Sequence, residues 1–203
     1  MTVPTPKYSR TQVNKAGNIL LDSNPPDSEF EWAIEVLNNW RSCHAYPINN
    51  FQATLRDKIF RLGFKKPIVA QRLKRQTSIL NKLNRFDSMK LSQMQDIGGL
   101  RAVVNTLKQV RLLEDDYLNS NFKHTPMKTT DYINNPKSSG YRSVHLIYKY
   151  RNKSKPAYDG LLIELQIRTK LQHAWATAVE TMGTFLKQAL KSSEGEREWL
   201  EFF

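Results

Sequence analysis

Three polar segments of this 203-residue chain carry side chains in patterns that packing alone does not demand. In Arg72-Leu73-Lys74-Arg75-Gln76-Thr77-Ser78-Ile79-Leu80-Asn81-Lys82, the residues Arg72, Ser78 and Lys82 fall at helical or near-helical offsets with Lys74 close by, a basic face able to grip a triphosphate. A solvated helix face is the plainer reading of the same string. In Gln95-Asp96-Ile97-Gly98-Gly99-Leu100-Arg101, a carboxylate stands at the mouth of an apolar run, with two glycines that permit close backbone approach. Such a residue suits Mg²⁺, a hard cation that takes one or two carboxylates plus substrate phosphates, although Asp before Gly-Gly is also ordinary turn chemistry. The third segment runs from Asp131 to His145 and is joined downstream by Glu164-Leu165-Gln166-Ile167-Arg168-Thr169. With a period of two, Glu164, Gln166 and Arg168 share one strand face while Ile163, Leu165 and Ile167 share the other; the polar row is either a site or a solvent side.

The elements needed to hold these residues follow from apolar spacing. Residues 1–28 hold a short helix at most, closed by Asn24-Pro25-Pro26-Asp27. Phe30, Ile34, Val36, Leu37 and Trp40, then Phe51, Leu55, Ile59 and Leu62, predict two packed helices, the second closed by Gly63. Pro67 is expected to open a third helix with Val69, Leu73, Ile79, Leu80 and Leu83 on its buried side. Leu100 to Val104 predicts a buried strand, Val110 to Leu118 a helix, and 143–150 with 161–167 a hairpin. A long helix from Thr169 through Trp175, Ala178, Met182, Phe185 and Leu190 is expected to cover the sheet. The order of elements predicts an α+β fold with a mixed sheet, and no repeat of fixed period is present.

Lys and Arg number 31 against 19 acidic residues, a formal charge of +12 with a pI near 9.8, which favours nucleotides or RNA as partners. From Leu55 to Lys90 there are 11 Lys/Arg against Asp57 and Asp87, so +9 sits in this stretch. The single Cys43 excludes an internal disulfide and a thiolate zinc site, and points to a reducing cytoplasm. No signal-peptide core and no run long enough to span a bilayer is found, so no membrane partner is expected.

The strings Arg72-x-Lys74-x-x-x-Ser78-Ile79-x-x-Lys82-Leu83, Asp96-Ile97-x-Gly99-x-Arg101, Asp131-Tyr132-Ile133-x-x-Pro136-Lys137-x-x-Gly140-Tyr141-x-Ser143-x-His145, Glu164-x-Gln166-Ile167-Arg168-Thr169 and His173-x-Trp175-Ala176 occur in that order. Together they resemble the successive motifs of the RelA/SpoT synthetase domain. The resemblance implies a nucleotidyltransferase-like core at 55–191, a helical extension at 1–54 and an acidic tail at 192–203. It implies ATP as pyrophosphate donor, held by Arg72, Lys74, Ser78, Lys82 and Arg101, with Mg²⁺ on Asp96 and Glu164. Glu164 would also activate the attacking ribose hydroxyl, Tyr141 would stack on the acceptor base, and Lys137 and His145 would lie near the acceptor phosphates, with Gln166 and Arg168 lining the same face. Moving a pyrophosphoryl group needs positioning and charge neutralisation more than covalent help, which suits this cast. Departures are Thr130, where a lysine is usual before Asp-Tyr-Ile, and Val179-Glu180-Thr181, where small synthetases carry a second histidine. With no room for a hydrolase domain, the chain is expected to synthesise and not hydrolyse.

The acceptor is less constrained. The +9 stretch favours the 3′-CCA end of tRNA, as in toxic members that block translation, because backbone contacts dominate RNA affinity. Alarmone synthesis from GDP or GTP is the alternative, and a catalytically silent RNA-binding module a third. The region Trp40-Arg41-x-x-His44-x-Tyr46-Pro47-Ile48-Asn49-x-Phe51-Gln52 resembles fused toxin–antitoxin members of the family. On that resemblance the chain is expected to be a truncated or naturally short toxin module, its antitoxin segment missing or supplied in trans.

Overall fold

The computed structural model describes residues 4–188, 190 and 195–202. Helices α1 (Arg10–Ile19), α2 (Asp27–Cys43) and α3 (Ala45–Arg61) come first, followed by β1 (Ile68–Leu73), α4 (Gln76–Arg85), β2 (Gly98–Val104) and α5 (Leu107–Asn119). Then come β3 (Thr125–Asp131), β4 (Val144–Lys149), β5 (Leu162–Thr169), α6 (Lys170–Phe185) and α7 (Arg197–Phe202). Among the described residues, five strands form one sheet in the order β1-β2-β5-β4-β3. Only β2 and β5 run parallel, and the other pairs are antiparallel. The fold is therefore the expected α+β architecture with a mixed sheet.

One sheet face is apolar and carries the core. Leu100, Ala102, Val104, Ile163, Leu165, Ile167, Val144, Leu146 and Tyr148 are buried there with α1 to α3 and α5. Packing of α3 on β1 and β2 is close: a Cβ on Gly98 would lie 2.9 Å from Ile163 Cδ1, 3.1 Å from Ile48 Cγ1 and 3.2 Å from His44 Cβ. That contact is the physical reason for glycine at 98. The residues of α1 to α3 thus share one core with the sheet rather than forming a separate one. Among the described residues no helix is long and apolar enough to cross a membrane.

Three expectations are corrected. The segment expected as one helix from Pro67 to Leu83 is a strand, β1, followed by a turn and α4. β1 pairs with β2 over Ile68↔Val103 to Leu73↔Gly98, and the β-branched Ile68 and Val69 suit that extended backbone. Arg72 consequently stands on a strand and Lys74 on the connector, with Ser78 and Lys82 on α4. A further strand, β3, was not foreseen. Finally, α6 stops at Phe185, short of Leu190, and Ala178 and Phe185 are exposed; the helix contacts β2 and β5, and its buried residues are Ala176, Val179 and Gly183. Glu194 in the acidic tail lies outside the described residues.

Candidate functional site

Strand register fixes which side chains meet on the sheet's second face. Arg72 pairs with Gly99, and Gly99 with Glu164; Arg101 pairs with Gln166, and Gln166 with His145. Paired residues in neighbouring strands point to the same side, so Arg72, Arg101, Glu164, Gln166, Arg168 and His145 form one polar field opposite the core. The alternation expected for 161–168 is observed, with Ile163, Leu165 and Ile167 fully buried. A concave patch lined by Arg72, Gly99, Arg101, Glu164 and Gln166 lies at its centre.

Asp96 precedes β2 by two residues. Lys74 Nζ donates to its Oδ2 at 2.8 Å and Lys82 Nζ to its Oδ1 at 2.9 Å. Burial alone would raise the Asp96 carboxyl, but the two ammonium groups outweigh it and hold it below the usual carboxylate range. Ser78 stands one helical turn before Lys82 on α4, so it shares the side that faces Asp96. Glu164 is 12% exposed, accepts from His145 Nδ1 at 2.9 Å and from the Gln166 amide at 2.8 Å, and feels the charge of Asp96. Burial and Asp96 push its carboxyl up; His145 and Gln166 pull it down, and the net shift is downward. Asp96 and Glu164 thus lie within electrostatic range of each other.

The cations do not balance within the field. Arg168 is 1% exposed, and its Nε and Nη1, like Arg101 Nε, find no hydrogen-bond partner. Burial, the first cause, and the neighbouring Arg101 and Arg72 bring Arg168 down to about 10, and burial with Arg72 lowers Arg101 as well. Buried donors without acceptors are costly, and guanidiniums that depress one another favour an incoming anion. For Mg²⁺ the donors fit in kind: the carboxylates of Asp96 and Glu164 offer hard oxygen atoms. Among the described residues no group of three or more His, Cys, Asp or Glu gathers.

The acceptor-side residues lie at the start of β4. Asp131 is structural: its Oδ1 accepts from the Ile133 and Asn134 amides at 2.9 and 3.2 Å, and its Oδ2 meets Arg111 at 2.9 Å. That Asx turn launches the loop that returns through Gly140 (φ 76°) to Tyr141. Tyr141 is 3% exposed, its ring edge-on to Tyr132 and His145, and the ammonium of exposed Lys137 lies 5.6 Å from its centroid and 4.9 Å from that of Tyr132. A base can stack on Tyr141 only when this cover shifts. Thr130 pairs with His145, so the position where a lysine is usual faces the field.

Three residues here had been given no role from the sequence. Arg41 of α2 donates from Nε to the Lys74 carbonyl at 2.7 Å, and Asn38 meets Gln76 on the same connector. Tyr132 flanks Tyr141. His173, at the start of α6, has its imidazole shifted below the usual range by burial and by Arg168 and Arg101. The strings quoted above contain all three, but spacing carries no signal for a contact made across 33 residues.

The family described as "Region found in RelA / SpoT proteins" matches residues 71–185, more than half of the chain, and the chain belongs to this RelA/SpoT family. Among relatives, it is similar to the GTP pyrophosphokinase YjbM of Bacillus subtilis (strain 168), 34% identical over 111 residues that make up 54% of this chain and 52% of that protein. It is also similar to a GTP pyrophosphokinase of Escherichia coli (strain K12), 26% identical over 72% of this chain and 18% of that protein. The chain thus spans about half, or less, of the length of these relatives. Among solved structures, small alarmone synthetase 1 from Bacillus subtilis bound to its product pppGpp superposes with a TM-score of 0.65 at 25% identity, covering 78% of this chain and 82% of that one.

Proposed function

We propose that this chain is a pyrophosphokinase that moves the β,γ-pyrophosphate of ATP to the 3′-hydroxyl of a guanine nucleotide, forming the O3′–Pβ bond as the bond between Pβ and the α,β-bridging oxygen breaks and AMP leaves. The observation that carries the reading is that Asp96, held by Lys74 and Lys82, and Glu164, which feels its charge, border a field of buried, incompletely paired cations. Arg72, Lys74, Lys82 and Arg101, with Ser78 beside them, hold the donor triphosphate; Lys74 and Lys82 exchange Asp96 for phosphate oxygens. Asp96 and Glu164 would hold Mg²⁺, which when bound neutralises charge on the transferring group. Glu164 accepts the proton of the attacking hydroxyl through a carboxylate oxygen, a role open to an ionised side chain held in place by hydrogen bonds. Tyr141 receives the acceptor base once Lys137 moves aside, and Gln166 and Arg168 line the space between. The guanine nucleotide is favoured by the relatives: two are GTP pyrophosphokinases, and one solved structure is described with pppGpp as product.

A second reading, transfer to the tRNA 3′ end by a toxin restrained by an antitoxin, draws on the +9 stretch at 55–90. One experiment separates the two: incubation with γ-labelled ATP, Mg²⁺ and either GDP/GTP or deacylated tRNA, followed by separation of products. Label in the guanine nucleotide is expected. Label on tRNA alone would decide for the second reading. Salt-dependent RNA binding with no label transferred would leave a binding module and remove the enzyme.

A further inference from the structure

Five side chains of the polar field form one hydrogen-bonded line, and it uses both ring nitrogens of His145. Tyr141 Oη lies 2.8 Å from His145 Nε2, and His145 Nδ1 lies 2.9 Å from Glu164 Oε1. On the far side, Gln166 Nε2 donates to Glu164 Oε2 at 2.8 Å and Arg168 Nη2 reaches Gln166 Oε1 at 3.4 Å. We propose that His145 is a positioning residue that ties the acceptor-side Tyr141 to the Glu164 carboxylate, rather than a contact to the acceptor's phosphates. The proposal rests on the pyrophosphokinase reading above.

The donor and acceptor roles follow from the inventory of each group. An ionised carboxylate only accepts, so the proton of the His145–Glu164 bond sits on Nδ1. With that one proton on the ring, Nε2 is the acceptor and the Tyr141 hydroxyl donates to it. The amide of Gln166 is oriented by the same logic: its nitrogen faces Glu164 and its oxygen faces the Arg168 guanidinium. Both ring nitrogens of His145 are engaged in the line, and neither is left for a phosphate.

The mechanical consequence concerns Glu164. Each carboxylate oxygen is fixed by one neighbour, Oε1 by His145 and Oε2 by Gln166, so rotation of the carboxylate would break two bonds at once. Each oxygen still has a second lone-pair direction for an incoming hydroxyl. His145 is held in its turn by the strand register, opposite Gln166, and by the edge-on rings of Tyr132 and Tyr141 at 5.1 and 5.7 Å. A rigid ring with nitrogen atoms on two sides transmits any displacement of Tyr141 to the carboxylate, so seating the acceptor and aiming the base are one event.

Two substitutions separate the two nitrogens. Asparagine places an amide near the position of Nδ1 and cannot reach Tyr141; glutamine reaches toward Nε2 and loses the fixed bond to Glu164. For His145→Gln we expect kcat to fall about 10- to 100-fold with the KM for ATP unchanged. His145→Asn should lower kcat less than His145→Gln and about as much as Tyr141→Phe, which loses the same Tyr141–His145 bond and keeps the ring; neither should raise the acceptor KM. A raised acceptor KM with kcat preserved in both His145 variants would overturn the proposal in favour of a phosphate contact. A second measurement needs no turnover: nitrogen-15 NMR of the four histidines in the ligand-free protein. An Nδ1–H tautomer at His145 that is lost in Glu164→Gln is expected, and an Nε2–H tautomer would overturn the coupling by itself. If the tautomer is as expected but the unaltered protein transfers nothing to any acceptor, the enzyme reading fails and the positioning role falls with it.

Discussion

Arg41 tests whether the helices before the matched family region take part in the site. It belongs to α2, outside residues 71–185, yet its Nε donates to the Lys74 carbonyl at 2.7 Å. Arg41→Ala removes the donor and frees the connector that carries Lys74, whose ammonium lies 2.8 Å from Asp96. A hydrogen bond from a charged donor contributes about 1.5–3 kcal/mol. Arg41 is half-buried and the Asn38–Gln76 contact still holds the connector, so the range is discounted to about 1–2 kcal/mol here. Expressed wholly in donor binding, this weakens ATP about 5- to 30-fold. The assay is calorimetric titration with a non-hydrolysable ATP analogue, accompanied by KM values for both substrates and a urea denaturation curve. A donor-selective loss is expected, with the acceptor KM unchanged. Equal losses for donor and acceptor, or a lower unfolding midpoint with donor affinity intact, would refute the reasoning and leave Arg41 a packing residue.

Asp96→Asn and Glu164→Gln should each reduce transfer by about 100-fold or more while the circular dichroism spectrum stays native, and full activity in either variant would remove that residue from the site. Gly98→Ala should destabilise the fold by about 1–3 kcal/mol in urea titration, because its Cβ would overlap Ile163 and crowd Ile48 and His44; a neutral result would contradict the packing of α3 on β2. Burial holds the His44 and His124 imidazoles at about 4, against about 6.5 in the unfolded chain. Above pH 6.5 both states are neutral at these sites; as the pH falls toward 4 the unfolded chain takes up protons that the folded one refuses, removing on the order of 3 kcal/mol per histidine. The depressed Asp96 and Glu164 carboxyls act in the same direction at lower pH, since their contribution is lost as pH falls through their folded values. The urea midpoint should therefore drop between pH 7 and pH 5, and a constant or rising midpoint would count against the burial of both rings.

The inner strands and the helices were legible in the sequence because their apolar faces are continuous. Leu100 to Val104 is buried almost throughout, and 163–167 alternates cleanly between core and site. The edge strands were not legible, each for its own physical reason. In β1 only Val69 and Leu73 are half-buried, and a spacing of four satisfies both a strand period of two and a helix period of 3.6, so the stretch merged with the true helix behind it. β3 has an exposed run, Thr125 to Thr129, and contains Pro126, so it offers neither an apolar face nor an uninterrupted ladder. In the site, the row of Glu164, Gln166 and Arg168 came from local alternation alone. Its meeting with Asp96 depends on the parallel pairing of β2 with β5, made across an intervening helix and hairpin, and spacing has no access to that.

Charge shows the same gap between a chain and a surface, and it bears on the acceptor. The +9 counted from Leu55 to Lys90 is not one field once folded. Lys58 is 4% exposed and is used up inside, on Asp116 at 2.5 Å and Ser120 at 2.8 Å. Arg56 and Arg61 also lie on α3, across the sheet from the polar field, with Arg61 paired to Asp57 at 3.0 Å. Lys74 and Lys82 converge on one carboxylate. Of this stretch, the proposed donor site uses Arg72, Lys74 and Lys82, a number that a triphosphate can neutralise. An extended backbone, by contrast, needs a continuous stripe of cations leading away from the site. The division of this stretch between the two faces of the sheet therefore weakens the compositional argument for RNA and strengthens the case for a mononucleotide acceptor.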